Sequence, residues 1–246
     1  MANVLYLIQA RQNSKRLPGK VLLDLGGIPL LSNVVNDLPK QDLVVVTGPR
    51  SRNQTIACYC ASNSIKIFFG DENNVFSRFL ENAIDHPQYP YIARLTGDNP
   101  CLHKASTRQM LEKMEAQSLD YCIQDNVPLG SAFEIFKRES LLKIAQGELS
   151  ESSKEHVTAE FYAPESPFRW SKLDCELTRI KHLRFTVDTQ QDLDFMRDLS
   201  LRFGQAPCNW KWDMLLEEYD KNPELFLGNQ SVAQRSVSHV EREDEL

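Results

Sequence analysis

Short β-branched and aromatic runs alternate along this chain with longer stretches whose apolar residues recur at helical spacing, and no other feature restricts the fold as much. Strands are expected at Val4–Gln9, Leu43–Thr47, Ile65–Phe69, Tyr91–Leu95, Phe133–Phe136 and, late in the chain, His182–Thr186. Helical periods fall between and after them, at Leu30–Leu38, Gln54–Asn63, Val75–Asp85, Lys104–Gln117, Gln191–Phe203 and Trp212–Lys221. Such alternation implies an α/β chain with a mainly parallel sheet covered by helices on both faces. Ligands of open sheets of this kind sit beyond the carboxyl ends of the strands, so residues that follow a strand are the first candidates for chemistry.

The 246 residues, 41% of them hydrophobic, suffice for one domain, expected at 1–227, with a flexible acidic and polar tail at 228–246. Gly147–Lys154 reads as a polar loop. A formal net charge of -6 argues against nucleic acid or an anionic membrane surface as a partner, so any anion has to be bound locally. Val4–Ile8 is too short for a membrane span or a leader core, which makes a cytoplasmic protein the expectation. Six cysteines without a C-x-x-C pair point to buried free thiols, not to zinc or disulfides. The closing Glu-Asp-Glu-Leu is similar to a retention signal, but without a leader it reads as chance.

Against that acidic background Gln9–Leu22, QARQNSKRLPGKVL, gathers Arg11, Lys15, Arg16 and Lys20 where the first strand ends. Pro18-Gly19 forces a turn, which aims backbone N–H groups at an anion while Lys20 reaches the same point and Arg11 offers a hydrogen-bonding fork. The stretch is neither a Walker A loop nor a dinucleotide fingerprint, and on composition alone a solvated basic loop is the competing reading.

The same stretch resembles the amino-terminal signature of cytidylyltransferases of the spore-coat polysaccharide biosynthesis F type, related to the acylneuraminate and 3-deoxy-manno-octulosonate enzymes. Further matching stretches follow in order: Gly26–Leu31, Arg94–Pro100, Glu134–Phe136, Glu155–Thr158 and Arg184–Thr189. The resemblance implies a nucleotide-diphospho-sugar transferase-like fold, dependence on Mg2+, and transfer of CMP from CTP to a sugar or sugar acid. It places Ala10, Arg11, Ser14, Arg16 and Lys20 on the nucleotide, with Lys20 and Arg11 as the catalytic cations. Lys20 is expected on an exposed loop, so that its loss costs turnover and not stability. Asn13 stands where the family usually has glycine, and asparagine tolerates the positive φ such a turn needs.

Asp98 and Asp188 each leave an expected strand end, and the resemblance makes both metal ligands; singly, Asp98-Asn99-Pro100 is also ordinary turn chemistry and Asp188-Thr189 an ordinary helix cap. Arg94 suits either the nucleotide or an acidic partner. At the sugar end the family pattern P-D-G-x-D-x-E reads Pro128-Leu129-Gly130-Ser131-Ala132-Phe133-Glu134 here, so two carboxylates are missing while Glu134 stays. Glu134 and His156 are the candidate sugar contacts, although His156 suits capping equally well. Trp210 and Trp212 read as packing anchors. A small sugar substrate, CTP, no nucleic acid, no membrane, and a homodimer among the assemblies allowed complete the expectation. The rivals are a glycosyltransferase of the same fold, disfavoured because Asp98 lacks the Asp-x-Asp pattern, and a nucleotide-binding protein without catalysis.

Overall fold

Alternate residues of the first strand leave to opposite faces, as a sheet buried on both sides requires. In β1 (Val4–Gln9), Val4 and Ile8 join one apolar cluster and Leu5 and Leu7 another. The structure, a computed structural model, describes residues 3–234. The Glu-Asp-Glu-Leu end and most of the expected tail lie outside the described residues.

A two-stranded antiparallel hairpin, β2 (Asp24–Leu25) and β3 (Ile28–Pro29), follows β1. The main sheet is completed by β4 (Leu43–Thr47), β5 (Lys66–Phe69), β6 (Tyr91–Thr96), β7 (Tyr121–Asp125), β8 (Glu134–Lys137) and β9 (Trp170–Asp174), in the order β5-β4-β1-β6-β8-β7-β9. Neighbours among β5, β4, β1 and β6 are parallel, and so are β7 and β9; β8 runs antiparallel to both β6 and β7. This reversal brings the start of β8 to the rim where β1 and β6 end, pairing Arg94 with Glu134 in register.

Helices α1 (Leu30–Val35), α2 (Gln54–Ser62), α3 (Val75–Asp85), α4 (Thr107–Gln117) and α5 (Arg138–Ile144) cover the two faces. Leu31, Ile56 and Met110 bring α1, α2 and α4 to the cluster of Val4 and Ile8, while Phe79 and Leu141 bring α3 and α5 to that of Leu5 and Leu7. After α6 (Glu151–Glu155), α7 (Gln190–Phe203) and α8 (Trp212–Lys221) enclose a third apolar cluster around Phe185 and Trp210. Trp210 is buried and Trp212 partly so, both packing there as anchors.

The expected strand His182–Thr186 is instead an extended segment with one bridge, Arg184 beside Leu129. Its backbone changes partner along its length: Phe185 N–H donates to Leu129 O at 2.8 Å and Val187 N–H to Asp98 O at 2.9 Å, so no continuous ladder forms. The edge strand β9 escapes the alternation rule because its side chains are half or fully exposed. The expected loop Gly147–Lys154 contains most of α6, which starts where Ser150 accepts the Ser153 N–H. Gly228 to Ser231, assigned to the tail, pack against α7: Gln191 Nε2 donates to Gly228 O at 2.8 Å and to Ser231 Oγ at 3.0 Å. All six cysteines are free. Burial pushes the thiols of Cys60 and Cys122 up to about 11 and that of Cys101 up to about 12, but Cys58 is exposed and Cys175 and Cys208 half-buried. Among the described residues no helix is long and apolar enough to cross a membrane.

Candidate active site

The chain leaves β1 into the rim packed tightly against its neighbours. Ala10 is buried, its N–H donates to Val46 O at 3.1 Å, and a Cβ on Gly97 would come within 3.0 Å of its own. Ala10 thus fixes the root of the loop. The loop then folds back, with Gly19 N–H donating to Gln12 O at 2.9 Å and Gly19 at φ 68°, a left-handed conformation that favours glycine. Asn13 is not among the residues with positive φ, so the turn depends on Gly19 and the substitution at position 13 is no strain.

Lys20 opens the short 3-10 turn that follows, and it is buried, with 6% of its surface exposed. The expectation of an exposed loop fails here because Leu17 and Val21 on either side enter the third and the first apolar clusters and draw the lysine down with them. Its ammonium donates to Asp98 Oδ2 at 2.7 Å and to Asp188 Oδ1 at 2.8 Å. Two carboxylates ninety residues apart in sequence are therefore joined through a single cation. Asp98 comes on the turn after β6, and the Val187 N–H bond to its carbonyl brings Asp188 alongside. The capping role goes to Thr189, whose side chain accepts the Asp192 N–H, which leaves the Asp188 carboxylate available.

Asp188 Oδ2 also meets Arg16 Nη2 and Arg184 Nη2, each at 3.0 Å. Burial pushes the Asp188 carboxyl up, but the hydrogen bond and charge of Lys20, with Arg16 and Arg184, hold it below the usual carboxylate range. The sequence reading missed Arg184 and its partner Asp192, which takes Arg184 Nε at 2.8 Å. One signal was present: Thr189-x-x-Asp192 has the spacing of a capping box.

Of the remaining candidates, Arg11 is exposed and Ser14 makes a backbone bond to Gln12 O, so neither joins the Lys20 cluster. Arg94 pairs with an acid: Nη1 meets Glu134 Oε2 at 2.9 Å, and Nη2 donates to Gln9 Oε1 at 3.3 Å. Burial lowers the Arg94 pKa, yet the Glu134 carboxylate more than offsets this and holds the guanidinium firmly charged. Glu134 also accepts from Thr158 Oγ1 at 3.2 Å. The matching stretch Glu155–Thr158 thus brings Thr158 to Glu134, whereas half-buried His156 ends α6, donating its N–H to Ser152 O at 2.7 Å. Leu129 and Ala132 are half-buried beside Gly130, where a Cβ would lie 2.5 Å from Thr186 N.

Asp98 and Asp188 keep side-chain exposures of 28% and 25%, so a ligand can reach both. Among the described residues no group of three or more His, Cys, Asp or Glu could hold a metal ion. Two reachable carboxylates without nitrogen or sulfur ligands fit magnesium, which takes one or two carboxylates and completes its shell with water and phosphate oxygens. A hollow of about 230 Å³ lies along the loop, lined by Gln12, Gly19, Val21, Leu22, Leu23 and Thr55 among others. A larger one of about 540 Å³ opens near Asp120, ahead of β7 and away from these groups.

Comparison with known proteins gives a match of residues 5–222 to the family model described as cytidylyltransferase. An uncharacterized protein of Methanocaldococcus jannaschii is 30% identical over 243 residues, 97% of this chain and 99% of the relative. The spore coat polysaccharide biosynthesis protein SpsF of Bacillus subtilis is 30% identical over 217 residues, 84% of this chain and 90% of its own. Among solved structures, a cytidylyltransferase from Leptospira borgpetersenii superposes with a TM-score of 0.81 at 22% identity, covering 96% of this chain and all of its own, which shows a shared fold.

Proposed function

The chain belongs to the cytidylyltransferase family, and on that premise we propose that it transfers CMP from CTP to a sugar or sugar acid, releasing pyrophosphate, in surface polysaccharide assembly. The observation that carries the reading is the convergence of Lys20, on the Gly19 turn, with Asp98 and Asp188 from separate parts of the chain, at 2.7 and 2.8 Å. Asp98 and Asp188 would hold a magnesium ion, whose chemistry there is to neutralise negative charge on the triphosphate. Lys20 and Arg16 add positive charge on the same side, and the left-handed turn at Gly19, open where a Cβ would stand, would let the backbone approach the phosphates.

In the reaction a sugar hydroxyl oxygen forms a bond to the α-phosphorus of CTP. The bond to the bridging oxygen breaks, and its electron pair leaves with pyrophosphate. The hydroxyl proton passes to water, with His156, whose backbone N–H caps α6, as the weaker alternative base. Transfer of this kind depends on positioning and charge neutralisation more than on covalent help from the protein. The match to the cytidylyltransferase family model favours nucleotidyl transfer over the rival glycosyl transfer, and the relationship to SpsF favours polysaccharide biosynthesis as its setting. Incubation with Mg2+ and each of CTP, ATP, GTP and UTP against a panel of sugars and sugar acids, scored by pyrophosphate release, tests the reading. Release with CTP and a sugar supports it, and release with another nucleotide or with no acceptor on the panel contradicts it.

A further inference from the structure

Asp188 does not hold its position alone. Arg184, 6% exposed, reaches its Oδ2 at 3.0 Å and is itself gripped from behind by Asp192, which is fully buried: Nε meets Oδ1 at 2.8 Å and Nη2 meets Oδ2 at 3.2 Å. A two-point carboxylate–guanidinium contact fixes the plane and direction of the guanidinium, which a single bond does not. Asp192 has further donors. The N–H groups of Asp188 and Thr189 reach Oδ2 at 3.0 and 2.9 Å, so this one carboxylate orients both the backbone of Asp188 and the arginine on its side chain. Burial pushes the Asp192 carboxyl up, but the Arg184 bond and charge and the Asp188 N–H hold it below the usual range.

The unit closes on Asn229, fully buried, which lies in the stretch that the sequence assigned to the tail. Its Nδ2 donates to Asp192 Oδ1 at 2.9 Å and to the Arg184 carbonyl at 3.1 Å. Replacing a buried ion pair by apolar residues is often neutral or stabilising, so stability alone is a weak reason for burying Arg184 and Asp192 here. We infer that Asp192, acting through Arg184 and locked by Asn229, is the positioning residue for Asp188, which makes the segment from Gly228 to Ser231 part of the catalytic architecture. The inference rests on the reading of Asp188 as a metal ligand.

Mn2+ binding to the full chain in the presence of CTP, followed by electron paramagnetic resonance, tests this without an acceptor sugar. Asp192→Asn is expected to weaken Mn2+ binding about tenfold, at the lower end of what groups behind a metal ligand contribute, and Asn229→Ala, one contact further back, about threefold. Leu199→Ala, which loosens α7 from its apolar side, serves as the control for structural loss: it is expected to lower the thermal midpoint without moving Mn2+ affinity. Unchanged Mn2+ affinity in Asp192→Asn, or an equal change in Leu199→Ala, would overturn the inference. Asp188→Asn separates the two levels of failure. If it weakens Mn2+ binding while Asp192→Asn does not, only the positioning role falls; if neither does, the metal reading falls with it.

Discussion

Lys20 and Arg94 are cations at the same rim, yet their surroundings differ in kind. Lys20 joins two carboxylates that stay about a quarter exposed, with Arg16 added on one of them. Arg94 meets one carboxylate, Glu134, whose side chain is 13% exposed and whose same oxygen also accepts from Thr158. The first arrangement can exchange its contacts for those of a charged ligand. The second is held within the protein through both terminal nitrogens, on Glu134 and Gln9, with only Arg94 Nε left without a hydrogen-bond partner, and its two charges support each other. Charge at a rim therefore does not mark a binding group by itself; a reachable partner does.

The largest expected effect separates the two ends directly. At an effective dielectric near 20, a charge about 4 Å from phosphate contributes roughly 4 kcal/mol before solvation, so Lys20→Ala should lower turnover about a thousandfold. It should also lower the thermal midpoint, because Asp98 and Asp188 lose the cation between them. Pyrophosphate release and a melting curve check both effects, and near-normal turnover would make Lys20 no different in kind from Arg94. At the second end, Glu134→Gln should cost about 2 kcal/mol of stability by leaving the half-buried Arg94 without its counter-charge, while the magnesium midpoint stays put. Denaturant unfolding and a magnesium titration measure this, and a shifted midpoint would join the two ends into one site.

A smaller effect concerns the acceptor. If Leu129 and Ala132 face the sugar, hydroxyls opposite them lack partners, and each unpaired buried polar group costs about 1–3 kcal/mol. A deoxygenated or acylated sugar should then be preferred by at least about tenfold over a fully hydroxylated sugar acid. Aspartate at both positions should narrow that preference, whereas lost stability with unchanged ranking would assign the segment to packing against Thr186. The smallest effect is on acid stability. Asp188 and Asp192 bind protons less readily folded than unfolded. Their contribution is complete above the unfolded value near 4 and is lost as the pH falls through the lower folded values. Asp192→Asn should flatten the stability profile below about pH 4, as followed by unfolding at a series of pH values.

Much of this was legible in the sequence where one local rule governed. β1 and β4 carry unbroken apolar runs, α3 and α8 a helical period, and their bounds follow directly. Asp98 just after β6 and Lys20 on the loop that leaves β1 were legible as residues of one rim, and Asp188 came there through an expected strand that is an extended segment. What stayed hidden depends on contacts between distant residues. The burial of Lys20 is set by where Leu17 and Val21 go, and the extended segment before Asp188 is set by partners that change from Leu129 to Asp98. Asn229 is the clearest case: a polar residue in a polar stretch gives no sign that its amide is buried against Asp192.

The claim on which the account turns is that Asp98 and Asp188 act together on one metal ion. A magnesium titration of CTP turnover in Asp98→Asn, Asp188→Asn and the double variant tests it, because groups that serve one ligand are not additive. Each single change should raise the magnesium midpoint strongly, and the double variant should add little to the larger of the two. An unmoved midpoint in both single variants, or effects that simply add, would contradict it.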